Sequence, residues 1–215
     1  MTAAEIDFQA TARTKARYDR LAPIYDLMEA LIERFTFSRW RKLLWSQVPG
    51  GKVLEVGVGT GKNMPYYPQD SQITAIDLSD KMLARARRRA EQEGLHMDLP
   101  LMDVQALRFA DNTFDSVVAS FVFCSVPDPV RGLMEVRRVL KPDGRIVLLE
   151  HMRAENGLAG VLMDLLNPFV VRITGANINR YTVENVKKAG LEIEKVKRLS
   201  ALGIVKLIIA RPGEN

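Results

Sequence analysis

A short strand-like run, Val53 to Val56, ends in three glycines spaced two apart, Gly57, Gly59 and Gly61, and this stretch limits the possible folds more than any other. A second apolar run, Ile73 to Ile76, ends in Asp77, about twenty residues after the first glycine. Strand, glycine turn, helix, strand and acid together build a nucleotide-ribose site at the carboxyl edge of a parallel sheet. Glycines let backbone approach a ligand where a β-carbon would clash. A carboxylate at the tip of the next strand can accept both hydroxyls of a ribose.

The spacing bears on which nucleotide. A dinucleotide fingerprint, G-x-G-x-x-G, would put its third glycine at position 62, which is Lys62. The sequence reads E-x-G-x-G-x-G instead, with Glu55 two residues ahead of Gly57. That pattern resembles the class I S-adenosylmethionine (SAM) methyltransferases. The resemblance implies SAM as cofactor, with no pyrophosphate; two histidines, His96 and His151, and no zinc-like Cys/His spacing argue against a metal. The resemblance places Glu55, Gly57, Gly59, Thr60 and Gly61 around the methionine part, Asp77 on the ribose, and Leu78 and Met82 beside it. A ligand-free glycine turn, or a dinucleotide enzyme of irregular spacing, are the competing readings of the residues themselves.

Further along, LMDVQAL carries Asp103 and Val104, and the segment from Phe114 reads FDSVVASFVFCSVPDPVRGLMEVRRVLKPDGRIVLLEH. The first resembles the methyltransferase segment whose acid accepts from the adenine amino group; Ser120 ends the strand behind it. The second resembles the methyltransferases of ubiquinone and menaquinone synthesis and the bacterial phosphatidylethanolamine N-methyltransferases (the type 11 methyltransferase domain). Its FCSV and EH pieces also resemble a mammalian microsomal thiol methyltransferase family. The N-terminal YDRLAPIYD, residues 18 to 26, resembles the segment that folds over SAM in the quinone and phospholipid enzymes. Tyr18 and Tyr25 are therefore lid candidates near the reacting methyl, or simply pack their helix on the sheet.

Methyl displacement asks mainly for positioning, so no catalytic triad is expected. An amine acceptor needs only its neutral form, whereas a thiol or phenol wants a base. His151, at the end of the fifth strand, is the candidate base, or a histidine that holds a loop. In NPFVVRITGANINRY, Arg180 and Tyr181 are candidates for an anionic amphiphile head; Arg180 could pair with phosphate. Ordinary capping polars explain them equally.

Alternating elements predict an α/β fold: a Rossmann-like, mostly parallel seven-stranded sheet with helices on both faces and a helical N-terminal cap. Strands are expected near 52–56, 72–76, 97–101, from Phe114, and over RIVLLEH, with an Asp143-Gly144 turn before the last. LEIEKVKRL and GIVKLIIAR form a terminal hairpin. Helices are expected at 79–93, 129–140, 157–174 and 182–189. Residues 1–47 form the cap, broken or started at Pro23, and 48–215 the SAM-binding core, within a single structural domain.

One cysteine, Cys124, excludes an internal disulfide and fits a reducing cytoplasm. There is no run of 18 apolar residues to span a membrane and no polar-free signal at the start. The net charge of +5 has no base-stacking aromatics with it, which argues against nucleic acid. Residues 35–45, FTFSRWRKLLW, place Phe37, Trp40 and Leu44 on one helical face against Ser38, Arg39 and Lys42. This suits a peripheral helix on the inner, anionic membrane face, or an amphipathic helix packed on its own domain. The reading is a SAM-dependent methyltransferase for a membrane-associated amphiphile, phosphatidylethanolamine first. The alternatives are a quinone precursor, a thiol or another small molecule, and a SAM-binding protein without turnover. Monomer and dimer stay open.

Overall fold

The computed structural model describes residues 6–32 and 36–213. Residues 1–5 and 33–35 of the expected cap, Phe35 of the basic aromatic segment among them, lie outside the described residues. The elements run α1 (Phe8–Ile32), α2 (Ser38–Trp45), β1 (Gly51–Val56), β2 (Ser71–Ile76), α3 (Asp80–Gln92), β3 (Phe114–Ser120) and α4 (Pro129–Val139). They continue with β4 (Leu140–His151), α5 (Gly157–Thr174), α6 (Thr182–Lys188), β5 (Leu191–Arg198) and β6 (Val205–Pro212).

The strands form one sheet in the order β2-β1-β3-β4-β6-β5. The first four are parallel, and the terminal hairpin adds β6 and β5 antiparallel. Because β1 has β2 on one side and β3 on the other, the strand order reverses at β1. A crevice therefore opens at the carboxyl ends of β1 and β3, where such sheets bind ligands.

Strand β4 shows why the sheet must be covered twice. Ile146 and Leu148 face the cluster made with Leu133, Val136 and Val139 of α4 and Val186 of α6. Val147 and Leu149 face the opposite cluster with Leu44 and Trp45 of α2. An apolar run with no polar alternation requires apolar partners on both faces.

The structure corrects three expectations. Among the described residues the sheet has six strands. The segment expected as a seventh makes only two isolated parallel bridges to the β2 edge, Thr74 with Asp98 and Asp77 with Leu101. Pro100, between them, has no N–H to extend the ladder. Pro23 does not break α1, which runs through it. The Asp143-Gly144 turn is absorbed into β4, where the register against β3 jumps from Phe114–Leu140 to Ser116–Arg145.

Of the two readings of residues 35–45, the described residues fit the helix packed on its own domain. The apolar face of α2 is occupied by the protein's own core: Leu44 is fully buried and Trp45 meets Tyr67 with ring centroids 4.6 Å apart. Phe37 lies 5.6 Å from Trp40 and 4.9 Å from Phe121 between ring centroids. Nor is Arg41 a surface cation; it is buried and donates to Asn63 Oδ1 (2.9 Å) and Ser120 Oγ (3.1 Å).

Candidate active site

The crevice at the β1/β3 switch is a cavity enclosing about 720 Å³, part of it open to solvent. Its floor is the glycine turn. Gly57 and Gly59 have φ of +68° and +56°, a region glycine enters without steric cost. A β-carbon on Gly57 would come within 2.5 Å of Val122, whereas one on Gly59 would meet nothing within 4 Å. Gly59 lines the cavity, so any side chain there would occupy the ligand's space.

One wall is the tip of β2. Burial pushes the Asp77 carboxyl up, against hydrogen bonds from the backbone N–H of Ser79 (2.8 Å) and Gly59 (2.9 Å). The same carboxylate thus ties the glycine turn to the start of α3, which Ser79 caps by accepting from Met82 N. Leu78, Met82, Asp103, Val104 and Ser120 complete the wall, as does Phe121, a non-glycine residue held at φ +58°. Asp103 accepts from Gln105 N (2.9 Å) and from its side chain.

Helix α1 closes the cavity, and Thr14, Tyr18 and Tyr25 line it. The Tyr18 hydroxyl pairs with Ser125 Oγ at 2.5 Å, and burial raises its pKa, so it stays a neutral phenol. Each of these tyrosines is followed by an aspartate that latches the helix down. Asp19 accepts from Ser79 Oγ (2.5 Å). Asp26 accepts from Thr60 Oγ1 (2.6 Å) and Arg85 (2.8 Å), with Arg89 at 3.4 Å and Lys62 at 3.7 Å. Burial pushes the Asp26 carboxyl up, but these partners hold it below its ordinary value. Neither aspartate was singled out from sequence, although Tyr-Asp recurring seven residues apart puts both pairs on one side of a helix.

Several expected residues stand elsewhere. Glu55 is fully buried behind the turn, accepting from Asn63 Nδ2 (2.5 Å) and from the Tyr67 hydroxyl, and is not in the cavity wall. With Ser120 and Arg41 it forms a polar brace under the loop. Thr60 faces Asp26, and Gly61 is likewise outside the wall. His151 ends β4 opposite Val205 and does not line the cavity; burial lowers its pKa. Arg180 donates to the carbonyls of Cys124 (3.4 Å) and Val126 (2.8 Å), supporting the loop after β3 from behind. Tyr181 is exposed, with the Arg153 guanidinium 5.7 Å from its ring centre.

Glu150, the neighbour of His151, is a residue that sequence reasoning passed over. It is fully buried, accepts from the backbone N–H of Val122 (2.9 Å) and Phe123 (3.0 Å), and so shapes the cavity loop. Burial pushes its carboxyl up to about 7. Cys124 beside it has a thiol pushed up to about 12 by burial, so it is no thiolate nucleophile at neutral pH. Among the described residues no group of three or more His, Cys, Asp or Glu side chains is placed to hold a metal.

A doubly wound sheet with a non-dinucleotide glycine turn, a strand-tip acid and a helical lid defines the class of SAM-binding α/β folds. Comparison with known proteins agrees. Residues 54–148 match the family model described as a methyltransferase domain. The chain is 46% identical over 110 residues to a phosphatidylethanolamine N-methyltransferase of Cereibacter sphaeroides, covering 50% of this chain and 54% of that protein. The chain thus spans about half the length of that relative. It is 30% identical over 228 residues to a ubiquinone/menaquinone biosynthesis C-methyltransferase of Ruegeria sp., covering 94% of this chain and 91% of the relative. A SAM-dependent methyltransferase structure from Thermotoga maritima superposes with a TM-score of 0.71 at 22% identity, covering 91% and 98%. The chain belongs to the SAM-dependent methyltransferase family.

Proposed function

We propose that the chain transfers the methyl of SAM to a membrane-associated amphiphile, with the amine of phosphatidylethanolamine as first acceptor. The observation that carries the methyltransferase reading is the cavity wall. It joins Gly57, Gly59, Asp77 and Asp103 on the sheet side to Tyr18 and Tyr25 on the lid side. SAM, when bound there, supplies an electrophilic methyl on a sulfonium. Asp77 would hold the ribose and Asp103 the adenine amino group, while Gly57 and Gly59 admit the methionine part. Helix α1 excludes water and brings aromatic faces to the cation. The hydroxyl pair of Tyr18 and Ser125 can accept an N–H from a neutral amine and so aim its lone pair. On transfer the nitrogen lone pair would take the methyl as its bond to sulfur breaks, leaving neutral S-adenosylhomocysteine, and the methylated ammonium would then lose a proton to solvent.

The phospholipid acceptor is supported by the 46% identity to a phosphatidylethanolamine N-methyltransferase. A second reading, methylation of a quinone precursor, is favoured by the near full-length alignment with a quinone-biosynthesis C-methyltransferase. That chemistry would want a base; Glu150, pushed up to about 7, accepts from the backbone N–H of Val122 in the cavity wall, whereas His151 does not line the cavity. Methyl-labelled SAM incubated with phosphatidylethanolamine vesicles tests the first reading. Label in mono- or dimethylated lipid is the expected result. No lipid label, together with label in an added demethylated quinol, would replace it with the second.

A further inference from the structure

Helix α5 is turned inside out. Seven large apolar side chains on it face solvent: Leu158 (83% exposed), Val161, Leu162, Leu165, Leu166, Phe169 and Ile173 (72%). Two of its polar residues, Asp164 and Asn167, are bonded to the protein instead. Asp164 takes a two-pronged hydrogen bond from Arg153 (3.1 and 2.9 Å) and a third from Asn179 Nδ2 (3.0 Å). Asn167 Oδ1 accepts from Ile178 N at 2.9 Å. A surface helix in water shows the reverse arrangement, and a continuous exposed apolar face of this length marks a contact with something apolar.

The charge around this face indicates what that is. Arg172 is exposed on α5 itself. At the helix's carboxyl end Arg17 of α1 packs on Gly175, 3.2 Å from where a β-carbon would stand. Arg13, Arg17 and Arg20 recur every three to four residues along α1 and so share a stripe, which Ile24 (49% exposed) and Leu27 (79%) continue. Two copies joined through this face would bring like charges together. An anionic bilayer would meet both the apolar face and the arginines. The chain just past the helix reaches the cavity loop: Asn177 donates its backbone N–H and its side chain to Cys124 O (2.9 and 3.0 Å). The next residue, Ser125, lines the cavity.

We propose that α5 docks the protein on an anionic phospholipid surface, lying in the interface with Leu158, Leu162, Leu165, Phe169 and Ile173 buried among the lipids. The helix has the length and composition to cross a membrane, although Asp164, Asn167 and Arg172 interrupt its apolar run. Crossing, however, would strip Asp164 from Arg153 and Asn179 and leave it in hydrocarbon. Lying flat keeps every one of those bonds. Docking in this orientation would present the cavity to lipid-borne acceptors, and that consequence alone rests on the phospholipid reading above.

The test is sedimentation of the full chain with phosphatidylcholine vesicles, with and without phosphatidylglycerol, in the absence of SAM. Anionic vesicles should carry the wild-type chain down, less so as salt rises. The Leu165→Ser, Phe169→Ser double variant should bind about tenfold more weakly, with melting temperature and SAM affinity unchanged, because both side chains are solvent-exposed. Leu162→Trp should show a blue-shifted emission on vesicle addition. A wild-type chain that ignores anionic vesicles, a double variant that binds them as well, or an unshifted tryptophan would overturn the proposal. So would a dimer in solution that the double variant dissociates, with no vesicle binding. Since neither SAM nor an acceptor enters the assay, a wrong acceptor assignment leaves its outcome intact.

Discussion

At the scale of single residues, Glu150 holds the loop that walls the cavity while sitting in a place that disfavours its charge. Burial raises its carboxyl to about 7 from an ordinary 4.5, so the folded chain keeps that proton to higher pH than the unfolded chain does. The stability this contributes is fully present below about pH 4.5 and is lost as pH rises through about 7. The span corresponds to roughly 3 kcal/mol at most. Glu150→Gln keeps an oxygen for Val122 N and Phe123 N and carries no charge. Urea unfolding at about pH 5 and pH 8 should show the wild type weaker at the higher pH and the variant nearly level. Equal pH slopes for both would remove Glu150 as the titrating group. His151 is the more conspicuous residue in the sequence because imidazole suggests base chemistry. Burial in the sheet raises the Glu150 carboxyl and lowers the His151 imidazole, and no single residue in the sequence displays that burial.

At the scale of elements, α1 is held as a lid by two aspartates rather than by a large apolar face. Its side chains contribute one buried apolar residue, Ala22, among those described. Asp19 grips Ser79 at the start of α3, and Asp26 grips Thr60 in the glycine turn together with Arg85. These grips flank Pro23, which removes one helical hydrogen bond and would by itself cost about 3 kcal/mol. That is why a break expected from sequence does not occur: tertiary contacts fix the helix on both sides of it. Asp26→Ala should loosen the carboxyl-terminal half of α1, speed SAM dissociation by about tenfold, and expose α1 to trypsin. Asp26→Asn, which keeps an acceptor for Thr60, should fall between. Unaltered dissociation in stopped flow would mean that α1 is no latch-held lid. Helix α5 was legible as a helix with its bounds correct, because Asn156 caps it and Gly175 ends it. Its inverted orientation was not legible, since composition cannot say which face meets the protein until Arg153 and Asn179 are placed against Asp164.

For the whole molecule, the core and the cofactor half were readable because each rests on short-range rules. Strand runs covered on both faces lack polar alternation, and the glycine turn with its strand-tip acid declares the switch point. What stayed hidden depends on residues distant in sequence: the brace of Glu55, Asn63, Ser120 and Arg41, the lid grips, and the reduction of the seventh strand to two bridges. The cavity lies between the sheet and α1, so ligand binding should stabilise the entire fold. At a SAM concentration about 100 times the dissociation constant, linkage adds about 2.7 kcal/mol. For a chain of this size that is roughly 5–10 °C in melting temperature. Asp77→Ala should lower the melting temperature even without ligand, because it also frees the N–H groups of Gly59 and Ser79. The ligand-induced increment is therefore the informative quantity. If the variant weakens SAM binding about tenfold, the increment at the same SAM concentration should fall to about half. A variant with a lower starting temperature but the full SAM increment would make Asp77 a brace for the turn and not the ribose ligand, and calorimetric affinity on the same sample would agree.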